Sequence, residues 1–395
     1  MIPSLLVALV LAPIALFWLL PAIAEAMALV SARSRPPRTP RPDRARLLFL
    51  VPAHDEALLI EECVTSLMRM TATDADFRVV VIADNCSDDT AARARACGAQ
   101  VLERTNPLRR GKPHAIEWAM SLEKVGEYDA VVIIDADTHV ARDFADVLAA
   151  YGPLKDKAVQ AYFGLSNESD SWLSRLAGLL SRIRYEGQYP MRQRANFNCA
   201  LTGNGMCLGS SLLGRLGWAP DALTENWELY ARYTVYGARI EYAQDARLFS
   251  QEASSLKQSG TQRKRWQSGR LAALRMYAGE LIRRPGLRMG QRIDAIAELS
   301  SLGPVLHSAG GIALGVGLLF LPNAVAQAFG AIFMISVLPM VGWTADAWIR
   351  SPDRLAIMAA LLRLPIYVLW RAGVATKALI IGGKLGWERS PRSES

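Results

Sequence analysis

The sequence has few cysteines, and they form no recognisable pattern. Five cysteines are scattered over 395 residues, and no two of them stand in a Cys-x-x-Cys pair. An odd number of scattered cysteines indicates neither a zinc knuckle nor a disulfide framework. We therefore expect a chain that works in a reducing compartment.

Glycine-rich phosphate-binding motifs are also missing. No Gly-x-Gly-x-x-Gly and no Gly-x-x-x-x-Gly-Lys-Ser/Thr motif follows any predicted strand. Such loops supply the backbone N–H groups that hold dinucleotides and nucleoside triphosphates in two widespread fold families. The sequence therefore argues against a dinucleotide site and against a P-loop.

Positive charge is missing ahead of the first apolar stretch. The opening MIPSL is uncharged, residues 5–23 are almost wholly apolar, and arginines follow them. A secretory signal carries its positive charge before its apolar core, whereas positive charge after a membrane helix marks the cytoplasmic side. We therefore predict a transmembrane anchor in the inner (plasma) membrane, with the chain that follows in the cytoplasm.

Charge and hydropathy are unevenly distributed. Hydrophobic residues make up 51% of the chain, the mean hydropathy is +0.13 and the formal net charge is +8. The apolar residues concentrate near the two ends, and the arginines crowd beside them. Basic charge next to apolar segments suits an anionic lipid bilayer. We expect the bilayer, and no nucleic acid, as the partner of these charges.

Composition divides the chain into six segments. Residues 302–320 and 324–341 are apolar and separated by three residues, which predicts a hairpin of two transmembrane helices. Residues 355–381 are apolar but carry Arg371 and other basic residues, which favours a helix in the membrane interface. The predicted segments are 1–30 (transmembrane anchor), 31–45 (Arg/Pro linker), 46–270 (cytoplasmic folded domain), 271–300 (interfacial helices), 301–345 (two transmembrane helices) and 346–395 (interfacial helix and basic tail).

Short apolar runs alternate with helical patterns inside the folded domain. The runs cover residues 47–53, 77–85, 100–105 and 129–137, with helical patterns between them. The last run is unbroken and rich in β-branched residues, which is typical of a strand buried on both faces. This order predicts an α/β domain with an open, mainly parallel sheet.

Acidic residues follow the predicted strands at the edge where open parallel sheets bind ligands. Asp135 and Asp137 stand two apart after the buried fourth strand, where unpaired carboxylates are unfavourable. Hard divalent ions take carboxylate oxygens as ligands and neutralise diphosphate charge. We expect Asp135 and Asp137 to bind Mg²⁺ or Mn²⁺ together with a substrate diphosphate.

Other polar loop residues are candidate ligands, although each has a structural alternative. Asp84 and Asp88 can accept hydrogen bonds from a base and a ribose, but Asp88 also suits a helix cap. Lys112 supplies a cation near a diphosphate, and residues 262–266 suit either a site or a helix on the membrane surface. The candidates for binding a nucleotide sugar are Pro52, Ala53, Glu56, Asp84, Asp88, Lys112, Asp135, Ala136, Gly203, Asn204, Gln262, Arg265 and Trp266.

In this order the motifs resemble those of the family 2 glycosyltransferases, including the cellulose, chitin and hyaluronan synthases. The resemblance covers residues 46–270 and rests on VPAHDE, Asp84 with Asp88, Asp135 with Asp137, Thr224-Glu-Asn226, and Gln262 to Trp266. It implies a GT-A-type nucleotide-diphospho-sugar transferase domain and an inverting, metal-dependent transfer of a hexose from a donor that we expect to be UDP-linked. The implied acceptor is a membrane-associated polysaccharide or lipid, and an oligomer or an export partner is compatible with it.

One position departs from the family pattern. The family's usual catalytic base is the aspartate of Thr-Glu-Asp, and this chain has Asn226 there. An amide cannot act as a general base, so we predict Glu225 as the base, with Glu228 as the second candidate. Asn226 can still orient an acceptor hydroxyl. The alternative is a catalytically lapsed, sugar-nucleotide-binding subunit of a polysaccharide assembly complex.

Overall fold

The computed structural model describes residues 4–33, 44–253 and 255–381. Most of the predicted Arg/Pro linker and the predicted basic tail lie outside these residues. Helix α1 (Ser4–Ser31) stands at the start of the described chain and contains Pro13 and Pro21. An α/β domain and a series of further helices follow it.

The α/β domain is built on an eight-stranded sheet with the order β3-β2-β1-β4-β7-β6-β8-β5. Strands β1 to β4 confirm the predicted parallel half, since β2 and β4 pair in parallel with β1, and β3 pairs in parallel with β2. β7 runs antiparallel between β4 and β6, whereas β6 and β8 are parallel and β5 closes the edge antiparallel to β8. The strands are β1 (Ala45–Ala53), β2 (Ala75–Asp84), β3 (Gln100–Arg104), β4 (Ala130–Ile133), β5 (Thr138–Val140), β6 (Lys157–Leu165), β7 (Met206–Gly209) and β8 (Arg239–Ser250).

Both faces of the sheet are covered, as the unbroken apolar runs predict. In β1, Leu48 and Leu50 enter one buried cluster, while Leu47, Phe49 and Val51 enter the cluster on the opposite face. The helices that cover the sheet or connect its strands are α2 (Ile60–Met68), α3 (Thr90–Ala96), α4 (Lys112–Leu122), α5 (Phe144–Ala149), α6 (Trp172–Arg182), α7 (Tyr189–Arg194), α8 (Ser210–Leu216) and α9 (Glu225–Val235). A π-helical turn, Ile183–Gln188, joins α6 to α7.

The helices after the sheet differ from the prediction in their boundaries. They are α10 (Leu256–Arg283), α11 (Met289–Ser300), α12 (Pro304–Leu319), α13 (Ala324–Arg350), α14 (Arg354–Leu361) and α15 (Leu364–Ile381). The predicted domain boundary at residue 270 falls inside α10, so the domain and the expected interfacial region share one continuous helix.

Two helices of the described chain are long and apolar enough to cross a membrane by themselves, namely α1 and α13. Helix α12 has 16 residues and meets this criterion only together with α11, from which it is bent by 89°. Helices α14 and α15 form a second bent pair, with an angle of 54°. The number of candidate spans is therefore two, or up to four if each bent pair is one span.

Helices α12 and α13 form the expected hairpin. They cross closely at Gly315 and Gly330, where a Cβ added to Gly330 would stand 2.9 Å from the carbonyl oxygen of Gly315. Helix α1 packs against α13 and joins α12 through Trp18 and His307. Trp18 Nε1 donates to the His307 carbonyl (2.9 Å), and His307 Nε2 lies 2.9 Å from the Trp18 carbonyl.

Candidate functional site

A cavity of about 1140 Å³ lies at the carboxyl ends of β1, β2 and β4. Its wall continues along α6, α9 and α10 and reaches the start of α12 and one residue of α15. Ligand pockets usually measure roughly 300–1,000 Å³, so this cavity has room for one large ligand and part of a second. The residues predicted from the sequence that line it are Glu56, Asp88, Asp135, Asp137, Asn204, Asn226, Gln262, Arg265 and Trp266.

Asp135 and Asp137 follow β4 and stand on the cavity wall. Asn204 fixes the turn between them, because its Oδ1 accepts from the N–H of Asp135 (3.1 Å) and its Nδ2 donates to Thr138 (2.7 Å). Asp137 Oδ1 accepts a hydrogen bond from Ser250 Oγ (3.0 Å). The turn that carries the two acids is thus held at the cavity by bonds from two different segments, the Asn204 loop and the end of β8.

Lys112 contacts Asp135, the loop at Gly203 and helix α9, and it is not itself part of the cavity wall. Its Nζ donates to Asp135 Oδ1 (2.5 Å) and to the carbonyl of Gly203 (2.7 Å), and lies 3.8 Å from Glu225 Oε1. Burial disfavours the charged amine, but Asp135 and Glu225 outweigh it and raise the pKa of Lys112. Gly203 adopts a φ of +92°, which only glycine reaches without strain. Lys112 is therefore held as a cation behind the cavity wall.

The Asp135 and Asp137 carboxylates fit a hard divalent ion. Mg²⁺ and Mn²⁺ are commonly held by one or two carboxylates, with the remaining ligands from substrate phosphates and water. Both side chains line the cavity and offer only oxygen atoms. These two residues would hold such an ion, with Lys112 beside them.

A second acidic group, Asp55, Cys86 and Asp88, brings three potential ligand atoms within 4.8 Å of one another. Asp55 Oδ1 accepts from the N–H of Ser87 (2.6 Å), and Asp88 Oδ1 accepts from the N–H of Thr90 (3.0 Å), one residue beyond the N-cap of α3. Burial raises the pKa of the Cys86 thiol, so a thiolate ligand is disfavoured there. The group ties the β1 and β2 loops together, and Asp88, which precedes the N-cap Asp89, bonds the first N–H of α3.

Four of the predicted residues lie in the strands or the core and not on the wall. Asp84 is 4% exposed and forms a buried ion pair with Arg104 (2.5 Å). Asp84 is therefore not part of the cavity wall, and its predicted contact with a base or a ribose stays a prediction. Ala53 and Ala136 are 3% and 4% exposed, and Pro52 is a partly buried member of β1. Their side chains are not part of the cavity wall.

Helix α9 presents Asn226 to the cavity, whereas the side chains of the two predicted bases, Glu225 and Glu228, are not part of the cavity wall. Asn226 Nδ2 donates to the carbonyl of Leu201 (2.9 Å). Glu225 is buried and lies against Lys112, and Glu228 pairs with Arg232 one turn along the helix. The geometry thus keeps Glu225 next to the acidic centre and does not support Glu228 as the second base.

Helix α10 carries the predicted aromatic and cationic residues to the cavity. Gln262, Arg265 and Trp266 all line it, and Trp266 is 37% exposed. Arg263, which also lines the cavity, lies 5.9 Å from the Trp266 ring centre and pairs with Glu252 (3.2 Å). This segment therefore forms part of the site and is not only a membrane-surface helix.

Three arginines at the far end of the cavity were not predicted as site residues. They are Arg184 from the π-helical turn, Arg270 from α10 and Arg371 from α15. The sequence assigned Arg371 to an interfacial face, and Arg270 lies one helical turn beyond Trp266, which is the signal that could have identified it. Arg270 also stacks on Trp227, 4.2 Å from the ring centre.

Comparison with known proteins identifies a matching family and a similar fold. Residues 43–269 match the model of the family described as glycosyltransferase like family 2. The probable glycosyltransferase YdaM of Bacillus subtilis is 24% identical over 235 residues, or 57% of this chain and 55% of that protein. The chain therefore matches about half the length of that curated relative.

Among solved structures, a mannosyltransferase from Pyrobaculum calidifontis in complex with GDP-Man and Mn²⁺ is similar over 92% of this chain and 98% of that chain. The TM-score is 0.54 and the sequence identity 19%. TarS from S. aureus, residues 1–349, has a TM-score of 0.45 at 13% identity and covers 75% of this chain and 91% of that chain. At such identities the first similarity shows the fold alone.

Proposed function

The chain belongs to the glycosyltransferase-like family 2 and has a GT-A-type α/β fold, and from this we propose that it is an inverting, metal-dependent glycosyltransferase. The donor is a nucleotide-diphosphate sugar, for which we propose a UDP-linked hexose. The acceptor is a polysaccharide or a lipid at the membrane. The catalytic domain faces the cytoplasm at the inner membrane, and an oligomer or an export partner completes the pathway of the product.

The observation that carries this proposal is the meeting of several charged groups in one cavity. Asp135 and Asp137, the Asn204 loop and the α10 residues Gln262 and Arg265 come from distant parts of the chain and line the same space. Carboxylates for a metal and cations for a diphosphate are both required to bind and to release a nucleotide diphosphate. The cavity supplies both.

The proposed chemistry is a single displacement. An acceptor hydroxyl attacks the anomeric carbon, the bond from that carbon to the diphosphate breaks, and the nucleotide diphosphate leaves with the electron pair. The hydroxyl proton passes to Glu225, which lies 3.8 Å from Lys112, the ion-pair partner of Asp135. Asn226 orients the acceptor hydroxyl from the cavity wall. A bound divalent ion would neutralise charge that develops on the leaving diphosphate.

The membrane side of the proposal rests on the helices around the domain. Helices α1 and α13 are apolar and long enough to span, and the cavity reaches the start of α12, beside the same helical hairpin. An acceptor held by the bilayer can therefore approach the cavity from this side. The bilayer is the partner that these helices require.

A second candidate function is a lapsed sugar-nucleotide-binding subunit of an assembly complex. It is favoured by Asn226, an α9 residue on the cavity wall, because an amide accepts no proton. Such a subunit binds a nucleotide without consuming a sugar donor.

The test is nucleotide diphosphate release in detergent with Mn²⁺, measured over a panel of UDP- and GDP-sugars with membrane extract as the acceptor. Wild type should release nucleotide diphosphate from one donor, and Asp137→Ala should lower the rate by about 100-fold or more, since loss of electrostatic stabilisation has this size. Asp89→Asn, an exposed acid paired with Arg93, is the matched control and should keep the rate.

Each possible result leads to a different conclusion. Nucleotide binding without release in any donor would replace the proposal by the lapsed subunit. Absence of both binding and release would contradict both candidates.

A further inference from the structure

The far end of the cavity is lined by cations and lies next to the apolar helical hairpin. Arg184, Arg270 and Arg371 line it together with Gly303 and Pro304, the residues at which α12 begins. The carboxylates predicted to hold a metal, Asp135 and Asp137, line the same cavity from the turn after β4. The cavity thus has a cationic end that the proposed donor chemistry does not use.

Arg371 is the residue of this end that most needs an anion. Its Nη1 atom is buried and has no hydrogen-bond partner among the described residues. The Nη2 atom would lie 3.6 Å from a Cβ added to Gly303, so the guanidinium rests against the start of α12. A buried guanidinium without an anionic partner is costly, and intramembrane or membrane-adjacent cations usually mark a functional contact.

Arg184 and Arg270 are anchored from behind and remain cationic. Glu298, which is not part of the cavity wall, lies 3.2 Å from Arg184 and 3.9 Å from Arg270. Burial lowers the pKa of Arg270 to about 10. The positive charges of Arg184 and Arg371 also lower this pKa, whereas the negative charge of Glu298 raises it. Glu298 also lies 3.7 Å from Arg192, whose other partner is Asp294, so three arginines share this carboxylate and positive charge is left for a ligand in the cavity.

The start of α12 adds a further preference for an anion. Helix α12 has 16 residues, and no side chain caps its first turn. The N-terminus of a helix carries partial positive charge and free N–H groups, which favour phosphate. Helix α12 turns by 89° from α11 and continues as an apolar helix, so this end of the cavity lies at the start of an apolar segment.

We propose that Arg184, Arg270 and Arg371, at the start of α12, bind the phosphate of a membrane lipid that serves as the acceptor. The proposal rests on the proposed glycosyl transfer and names its acceptor class as a lipid that carries phosphate. The apolar chain of the lipid lies along the hairpin of α12 and α13. Its phosphate points to the arginines, and its reacting oxygen points to Asn226 and the acids.

Two acceptors share this chemistry. In a lipid monophosphate, an ionised phosphate oxygen attacks the anomeric carbon, the bond to the nucleotide diphosphate breaks, and no proton is transferred. In a lipid diphosphate that carries a saccharide, a hydroxyl attacks and its proton must pass to a base. Glu225→Gln separates them, because the first reaction should keep its rate and the second should lose it.

The closing experiment measures binding without any sugar donor, in nanodiscs of neutral lipid. The probes are farnesyl monophosphate, farnesol and inorganic phosphate. Wild type should bind farnesyl monophosphate at least about tenfold tighter than farnesol, because a charge-assisted hydrogen bond adds about 1.5–3 kcal/mol. Arg371→Gln should abolish this difference, and Arg371→Lys should keep part of it. Lys377→Gln, an exposed position on the same helix, should behave as wild type.

Nucleotide binding, measured on the same samples, shows that each variant is folded. Equal affinity for farnesyl monophosphate and farnesol, or an unchanged preference in Arg371→Gln, would overturn the proposal. Equally tight binding of inorganic phosphate would also overturn it, since the site would then take a free anion. Asp137→Ala should weaken nucleotide binding only, so a failure of donor chemistry and a failure of the lipid subsite give different results.

Discussion

Glu225 and Glu228 stand one turn apart on α9 and have different partners. Glu225 lies 3.8 Å from Lys112, which itself holds Asp135, whereas Glu228 pairs with Arg232 outside the cavity wall. Position along the helix alone does not separate the two, because both carboxylates suit the first turn of a helix. Their partners separate them.

With a saccharide acceptor whose hydroxyl attacks, Glu225→Gln should lower kcat by about 100-fold or more, the usual contribution of a general base. Glu228→Gln should keep kcat within about threefold and lower the melting temperature, since it breaks the pair with Arg232. Initial rates over a pH series, together with thermal unfolding, measure both effects. Loss of activity in Glu228→Gln with normal turnover in Glu225→Gln would refute the assignment.

Asp84 shows that the partner of a site candidate cannot be predicted from the sequence. Asp84 is the last residue of β2, and Asp135 follows the end of β4 by two residues, so the sequence makes both of them candidate ligands. The difference is Arg104, which is twenty residues away in the chain and neutralises Asp84 inside the protein. Strand ends are visible in the sequence, but the partner of a buried charge depends on tertiary packing.

Among the elements, the hairpin of α12 and α13 depends on its glycines. A Cβ on Gly330 would lie 2.9 Å from the Gly315 carbonyl and 3.1 Å from Leu319. Backbone atoms cannot move aside as a flexible side chain can, so the two helices would have to separate. In membranes, small residues at helix crossings permit the close packing that holds helices together.

Gly330→Ala should therefore lower the apparent melting temperature in detergent, with a loss of about 1–3 kcal/mol that is typical of overpacking. Gly342→Ala in the same helix is the control, because a Cβ there meets nothing within 4 Å. Helix propensity favours alanine at both positions. Equal melting temperatures for the two variants would show that the crossing is not close-packed.

The length of each element explains which elements could be recognised from the sequence. The strands β1 to β4 have long apolar runs between helical patterns, so periodicity predicted them and their parallel order. β7 has only four residues, and β5 three. Short strands carry too little pattern to be recognised, and the antiparallel pairing of β7 with β4 joins residues more than seventy positions apart. The helix α10 crosses a composition change without ending, which hid its continuity.

At the scale of the whole molecule, labelling of cysteines with an impermeant reagent can show on which side of the membrane a segment lies. Cys63, Cys199 and Cys207 are buried, and burial raises the pKa of the Cys199 and Cys207 thiols to about 12. Such thiols are inert to alkylating reagents in the folded protein. Cys86 and Cys97 are partly exposed and react first. The double variant Cys86→Ser, Cys97→Ser should therefore not react with an alkylating reagent. We call this unreactive variant the silent background, because only an introduced cysteine would be labelled in it.

We propose that the arginines after α1 keep the α/β domain in the cytoplasm, and on this proposal the hairpin has a defined direction. α12 leaves the domain at Pro304, and α13 returns over 27 residues, so the exposed turn at Pro322 should lie on the opposite side of the membrane. In right-side-out vesicles, an impermeant maleimide should label Pro322→Cys in the silent background at once. In the wild type, the same reagent should label Cys97 only after permeabilisation. Labelling of Pro322→Cys only after permeabilisation would mean that the hairpin does not cross, and an acceptor lipid would then have to reach the arginines from the cytoplasmic leaflet alone.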